Sequence, residues 1–183
     1  MAEILDIVNE NDEVIGHIER NDAELDKYIF RSIFILFYTP DKRLILQLRS
    51  MNKKSNPGKL TTTVSGHVAS GSTYDETAIK EAYEESGIKI DPSKLKNLGV
   101  VFVDPQSLKN AGVENGAGVM RGIYAYQYNG EVEKLKVEKN EGAGFVTITI
   151  DQLRKQRIKN PEKFTPSILS DAGTKLIDYI ERV

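Results

Sequence analysis

Residues 66–88 read GHVASGSTYDETAIKEAYEESGI, and this stretch decides the fold and the chemistry expected of the chain. Thr73 followed by Glu76 has the pattern of a capping box, in which side chains and backbone at a helix start satisfy each other, and Gly87 supplies a C-terminal stop. The helix so delimited carries Glu81, Glu84 and Glu85 at i, i+3 and i+4. At roughly 100° per residue, the three side chains leave from one sector about 100° wide. Ala78, Ile79, Ala82 and Tyr83 fill the adjoining arc and are expected to pack inward. Like charges at i and i+4 weaken an isolated helix by a few tenths of a kcal/mol, so the cluster needs full solvation or an external counter-charge. Taken alone, a Glu triplet is more often a solvated face, especially in a chain that is 28% charged. Here a loop bracketed by Gly66 and Gly71 precedes it and a glycine stop follows. That context points to a hard divalent cation, because Mg2+ takes oxygen ligands and leaves room for substrate phosphates and an activated water.

Gly66, then Lys80-Glu81-Ala82-Tyr83-Glu84-Glu85-Ser86-Gly87-Ile88, resembles the Nudix box: Gly, five residues, Glu, seven residues, Arg-Glu, an aliphatic residue, any residue, Glu-Glu, any residue, Gly, an aliphatic residue. The register is kept without insertion or deletion. Ser72 stands where the family has its first Glu, and Lys80 where it has Arg, so both ends of one ion pair beside the metal site have changed. The resemblance implies an α/β/α sandwich with a mixed sheet. It also implies that Glu81, Glu84 and Glu85 hold Mg2+, with Mn2+ as a substitute, together with the backbone carbonyl of Ser65.

The resemblance extends over most of the chain. DIVNENDEVIGHIER (residues 6–20), LILQLRS (44–50), Lys53-Lys54 and Pro57-Gly58 look like the Nudix branch that includes isopentenyl diphosphate isomerase. The isomerase needs a Cys just before the box, where this chain has Ser65. His67 matches one of its His ligands, but two more fall on or near Ala23 and Phe30. The chain is therefore more similar to the hydrolase-like members of the branch. Arg49 and Lys53 match positions that hold the diphosphate, and a pair of cations there would neutralise phosphoryl oxygens; an ordinary basic loop after a strand is the plainer reading. His67 could contact metal or substrate, or serve only as a polar structural residue. The resemblance places a general base in the loop before the late strand, where Glu138 and Glu141 precede Gly142; Glu141 is chosen, with Glu85 as its competitor.

Composition sets the limits. A chain of 183 residues is read as one domain, residues 1–183, with residues 1–28 as an N-terminal hairpin extension and the box at 66–88. With 39% hydrophobic residues it reads as soluble and globular. A net charge of −2 gives no electrostatic footprint for duplex nucleic acid. The absence of cysteine excludes disulfides, thiolate zinc sites and a Cys nucleophile, and fits a reducing, cytoplasmic setting. The start, MAEILDIVNENDE, lacks a basic n-region and a long apolar run, and no stretch is long and apolar enough to span a membrane. Nudix relatives are often dimeric, which makes a homodimer a candidate assembly.

Along the chain, Ile4–Val8 and Val14–Ile18 flank a turn and predict a hairpin. Residues 21–27 suggest a short helix. Strands are expected at 29–38, 43–49, 60–64, 95–103, 119–128 and 144–150, a helix from Asp151 to Gln156, and a longer one from Ser167 to Arg182. The glycine-rich stretch from Asn110 to Gly118 reads as a substrate lid between strands. Together these features predict an Mg2+-dependent Nudix hydrolase that cleaves a phosphoanhydride in a nucleoside diphosphate linked to another group, or in a related diphosphate. The alternatives are an isomerase-like enzyme, made improbable by the missing Cys, and a domain that binds a nucleotide metabolite without cleaving it.

Overall fold

One strand lies at the centre of the sheet, and the way its two edges are shared creates the site. The computed structural model describes residues 3–24, 26–113, 116–138 and 140–183. Among these, the strands β1 (Ile4–Val8), β2 (Val14–Glu19), β3 (Ile29–Tyr38), β4 (Leu44–Arg49), β5 (Leu60–Thr61), β6 (Val64–His67), β7 (Lys96–Val103), β8 (Val119–Gln127) and β9 (Gly142–Ile148) form one mixed sheet. β8 runs parallel to β3 along its whole length, from Phe30 opposite Val119 to Tyr38 opposite Gln127. The other edge of β3 is divided among three antiparallel partners: β1 at Ile29 and Phe30, β6 from Ser32 to Ile35, and β4 at Phe37 and Tyr38.

β3 and β4 thus pair over two residues and then diverge. Beyond the fork β6 follows β3, while β5 follows β4 at Gln47 and Leu48. The link between β5 and β6 crosses the opening through Thr62 and Thr63. Thr63 is fully buried; its hydroxyl accepts from the Phe37 N–H and donates to the Ile45 carbonyl, one group from each diverging strand.

The expected sandwich is present, with helices on both faces. β3 is buried on both sides and its side chains alternate between two cores. Ile33, Ile35 and Phe37 join Ala78 and Ala82 of α1 (Tyr74–Ser86). Phe34 and Leu36 join Leu153 of α3 (Ile150–Lys159), Ile168 of α4 (Pro166–Leu169) and Leu176, Ile177 and Ile180 of α5 (Asp171–Arg182). The hairpin β1–β2 forms as expected and is clasped to the rest. Arg31 of β3 donates to Asp12 in its turn (2.6 Å) and to buried Asp6 (3.3 Å), while the Tyr74 hydroxyl donates to Asp12 (3.1 Å).

Several expectations need correction. The helix expected over Ser167–Arg182 is two helices: Ser170 is extended (φ −71°, ψ 170°) and its hydroxyl caps α5 at Gly173. The apolar period runs through this break, so periodicity alone does not show it. Ile150 is the first residue of α3, capped by Thr149 and Gln152, rather than the end of a strand. A short helix that the sequence reading does not include, α2 (Pro105–Asn110), begins at an Asp104 cap between β7 and β8. Residues 20–22 form a single 3-10 turn in place of the helix expected at 21–27, of which Leu25 lies outside the described residues. The expected lid at 110–118 falls partly on Glu114 and Asn115, also outside them.

Replacing Thr63 by Val keeps the side-chain shape and orphans a backbone donor and acceptor in the core. Because each buried unsatisfied group costs about 1–3 kcal/mol, Thr63→Val should lower the urea unfolding free energy by roughly 2–4 kcal/mol. An unchanged midpoint would show that the fork closes without this hydroxyl.

Candidate active site

α1 begins with the capping box read from the sequence: Thr73 accepts from the Glu76 N–H, and Glu76 accepts from the Thr73 N–H at 2.9 Å. It ends on Gly87, left-handed at φ 70°. Its three acidic side chains do not share one environment. Glu85 is 6% exposed and belongs to the buried face with Thr77, Ala78, Ala82 and Ser86. Glu81 is largely covered (side chain 16% exposed), and Glu84 stands half in solvent (44%). Tyr83, expected inside, is 62% exposed. The small Ala78 and Ala82 bring α1 close to the sheet, which places Glu85 inward and Tyr83 outward.

Glu85 accepts from Gln47 of β4 at 3.1 Å. Burial pushes its carboxyl up to about 8, and the neighbouring Glu81 and Glu141 charges act the same way, against donation from Gln47 and the Ser65 backbone. Burial also raises Glu81, opposed mainly by Lys80. Gly66 is required here: a Cβ at this position would lie 2.6 Å from Glu81 Cδ, so any side chain would displace the carboxylate. Lys80 sits 3.6 Å from Glu81 and 3.4 Å from Glu84. Ser72, Lys80, Glu81 and His67 line a small cavity of about 240 Å3.

A larger cavity, about 530 Å3, opens at the fork. Arg49, Lys53, Ser65, His67 and Glu141 line it. The Lys53 ammonium is 2.6 and 2.7 Å from the two Glu141 oxygens, so the expected phosphate-binding cation and the expected base form one ion pair. Arg49 donates to the Ser55 carbonyl at 2.9 Å, across the loop after β4. His67 is held down to about 4, chiefly by burial and then by the Arg20 charge, which keeps the imidazole neutral.

The structure therefore gathers Arg49, Lys53, Ser65, His67 and Glu141 around one cavity. Glu81 faces the adjoining small one, and neither Glu84 nor Glu85 lines either. Among the described residues, no three acidic or imidazole side chains converge closely enough to hold a metal ion as they stand. Glu81 and Glu85 are the core of the acidic set, two covered carboxylates, with the Glu81 charge raising Glu85 and the Glu84 charge raising Glu81.

Three contributors escaped the sequence reading. Gln47, whose amide holds Glu85, faces α1 two residues after core residue Ile45. Arg20 lines the large cavity while its guanidinium pairs with Glu3. Arg121 also lines it, from a strand face that otherwise carries Val119, Ile123 and Ala125 before ending at Gln127. The alternation of β8 could have exposed Arg121, since Ile123 and Ala125, its successors on the same face, are wholly buried.

Residues 29–168 match the model of the NUDIX domain. A Nudix hydrolase of Deinococcus radiodurans is 39% identical over 89 residues, covering 49% of this chain and 52% of the relative. An isopentenyl-diphosphate Delta-isomerase of Pectobacterium atrosepticum is 24% identical over 160 residues, covering 87% and 83%. The crystal structure of DR0079 from Deinococcus radiodurans superposes with a TM-score of 0.75 at 25% identity, over 98% of each chain. The chain spans about half the length of the Nudix hydrolases it matches at 36–39% identity. With a domain match over most of its length, on a sandwich whose box glycine lies against the box carboxylate Glu81, this chain belongs to the NUDIX family.

Proposed function

We propose that the chain is a metal-dependent hydrolase that cleaves a phosphoanhydride bond in a nucleoside diphosphate linked to another group, or in a related diphosphate. The observation that carries this reading is the covered Glu81–Glu85 pair, at box positions, beside a cavity lined by Arg49, Lys53 and Glu141. Two carboxylates whose protonation is favoured by burial and by a neighbouring carboxylate, Glu81 beside Glu85 and Glu84 beside Glu81, suit a hard divalent cation in donor chemistry, because positive charge relieves both. Glu81 and Glu85 would hold it, with Glu84, one turn away on the solvent side, and the Ser65 carbonyl as further oxygen donors. The chemistry that bound Mg2+ or Mn2+ supplies is a lowered water pKa and neutralisation of phosphoryl oxygens.

The remaining work belongs to the chain's own groups. Arg49 and Lys53 bind the phosphates, and a phosphate oxygen arriving at the Lys53 ammonium takes the place of Glu141. The carboxylate so released stands in the same cavity and accepts the proton of the attacking water. Glu85 is the competing base, since its carboxyl sits near neutrality. Gln47 and the Ser65 N–H orient Glu85. An isomerase reading is weaker here, because the chain has no cysteine and buried Phe30 cannot serve as a ligand. No helix among the described residues is long and apolar enough to cross a membrane, and the cysteine-free sequence supports a cytoplasmic setting.

Incubating the protein with Mg2+ or Mn2+ and a panel of nucleoside diphosphate derivatives, triphosphates and isopentenyl diphosphate, with products resolved by mass, tests this directly. Cleavage between phosphates should disappear with a chelator, and Glu85→Gln should lower kcat by at least about 100-fold. Full activity in both Glu81→Gln and Glu85→Gln would sink the proposal.

Proton and cation compete for Glu85, which gives a second expectation. Its carboxyl lies near 8 in the folded protein against 4.5 as the ordinary value, so the folded state binds more protons between those limits. The stabilisation is complete below about 4.5 and is lost as pH rises through about 8. Without metal, the melting temperature should therefore fall from pH 6 to pH 9, with a much flatter profile in Glu85→Gln. Mg2+ affinity should rise over the same range, reversing the slope at millimolar Mg2+. A metal-free profile identical in the wild type and Glu85→Gln would contradict this.

A further inference from the structure

Ser32 of β3 is paired with His67 of β6 on one side and with Arg121 of β8 on the other, so the three form a row across adjacent strands. With strands about 4.8 Å apart, the row spans roughly 10 Å along one face, and all three residues line the large cavity. The guanidinium carbon of Arg121 lies over the Phe34 ring, 3.7 Å from its centroid, and its Nε donates to the Ser32 hydroxyl at 3.2 Å. Among the described residues no carboxylate pairs with it. Burial alone pulls it down to about 9.

A methionine or leucine here would simply extend the core made by Ile123 and Ala125. Arg121 is half-buried, and a guanidinium withdrawn from water is costly to keep charged unless it is paired. Stacking on Phe34 returns part of that cost, and Ser32 brings no charge. Of the cavity's other cations, Lys53 pairs with Glu141, Arg20 pairs with Glu3, and Arg49 donates to the Ser55 carbonyl. Arg121 is instead a flat fork, fixed at Nε and against Phe34, and held in a cavity large enough for a substrate group. A neutral carbonyl would leave the charge uncompensated, whereas a phosphate or carboxylate satisfies both charge and fork.

We propose that Arg121 is a specificity-determining residue that binds an anionic oxyacid group, phosphate or carboxylate, carried by the substrate beyond the diphosphate that is cut. This rests on reading the large cavity as the substrate site, and not on hydrolysis.

The test uses the full chain in excess chelator, titrated separately with inorganic phosphate and with acetate, while NMR follows the Arg121 Nε–H and the Ser32 amide. The expected result is a saturable shift of both signals by at least one of the anions. The midpoint should move at least tenfold higher in Arg121→Met and lie between the two in Arg121→Lys, which keeps the charge without the fork. Tighter saturation by phosphate assigns a phosphoryl group, and tighter saturation by acetate assigns a carboxylate. Arg121→Met should melt no lower than the wild type, since it removes a desolvated charge. The proposal is overturned if neither anion moves the Arg121 signal, or if the Ser32 shift persists unchanged in Arg121→Met. Glu85→Gln separates this from the hydrolase reading: it should abolish cleavage and retain the anion response, whereas retained cleavage would count against the hydrolase assignment alone.

Discussion

The Thr63 hydroxyl is the point on which the site depends. A sheet strand has two edges, and β3 gives one wholly to β8, so β4 can stay with it for only two residues before the strands part. Opening a sheet leaves backbone donors and acceptors without partners, and a buried orphan is costly. Thr63 takes one from each strand at the apex and lets the opening begin without loss. The large cavity, the basic loop after β4 and the acidic face of α1 meet at that opening. The threonines at 61–63 thus make a catalytic-sized cleft compatible with a continuous core.

Electrostatics inside the opening is arranged in opposed sets. Glu81 and Glu85 are the covered carboxylates of α1, each with its ionisation disfavoured by burial and a neighbouring carboxylate, while Arg20, Arg49, Lys53 and Arg121 line the cavity beside them. Among the described residues no cation of the cavity pairs with Glu81 or Glu85; Lys53 is matched by Glu141 and Arg20 by Glu3. Such separation is costly in an empty protein. It suits one that receives a cation on the acidic side and an anion on the basic side, because each arrival relieves a charge already held in place.

How much of this was legible follows from how local each signal is. The capping box, the glycine stop and the register of Gly66 with Glu81 lie within one helix and its approach, and all were readable from the chain. The apolar runs of β3 and β8 marked the central strands. The break at Ser170 was written in a Ser-Asp start and in Gly173, whose Cα faces the Ser167 carbonyl too closely for a side chain, but continuous apolar periodicity concealed it. The orientation of α1 depended on what lay beneath it, so Tyr83 and Glu85 were exchanged in the reading. Gln47 and Arg20 acquire meaning only through partners that the fold brings together from distant segments, whereas Arg121 was marked locally as a charge two residues before Ile123 on a buried face.

The clasp between Arg31, Asp6, Asp12 and Tyr74 bears on where this protein could be cut. The matched NUDIX segment starts at residue 29 and stops at 168, yet Asp6 and Asp12 lie before it and α5 lies after it. A fragment trimmed to those limits would expose the β3 edge at Ile29 and Phe30, strand the Arg31 guanidinium, and uncover the core face that Leu176, Ile177 and Ile180 now close. The boundary of family likeness and the boundary of the cooperative unit are therefore different lines, and an expression fragment or domain graft should follow the second.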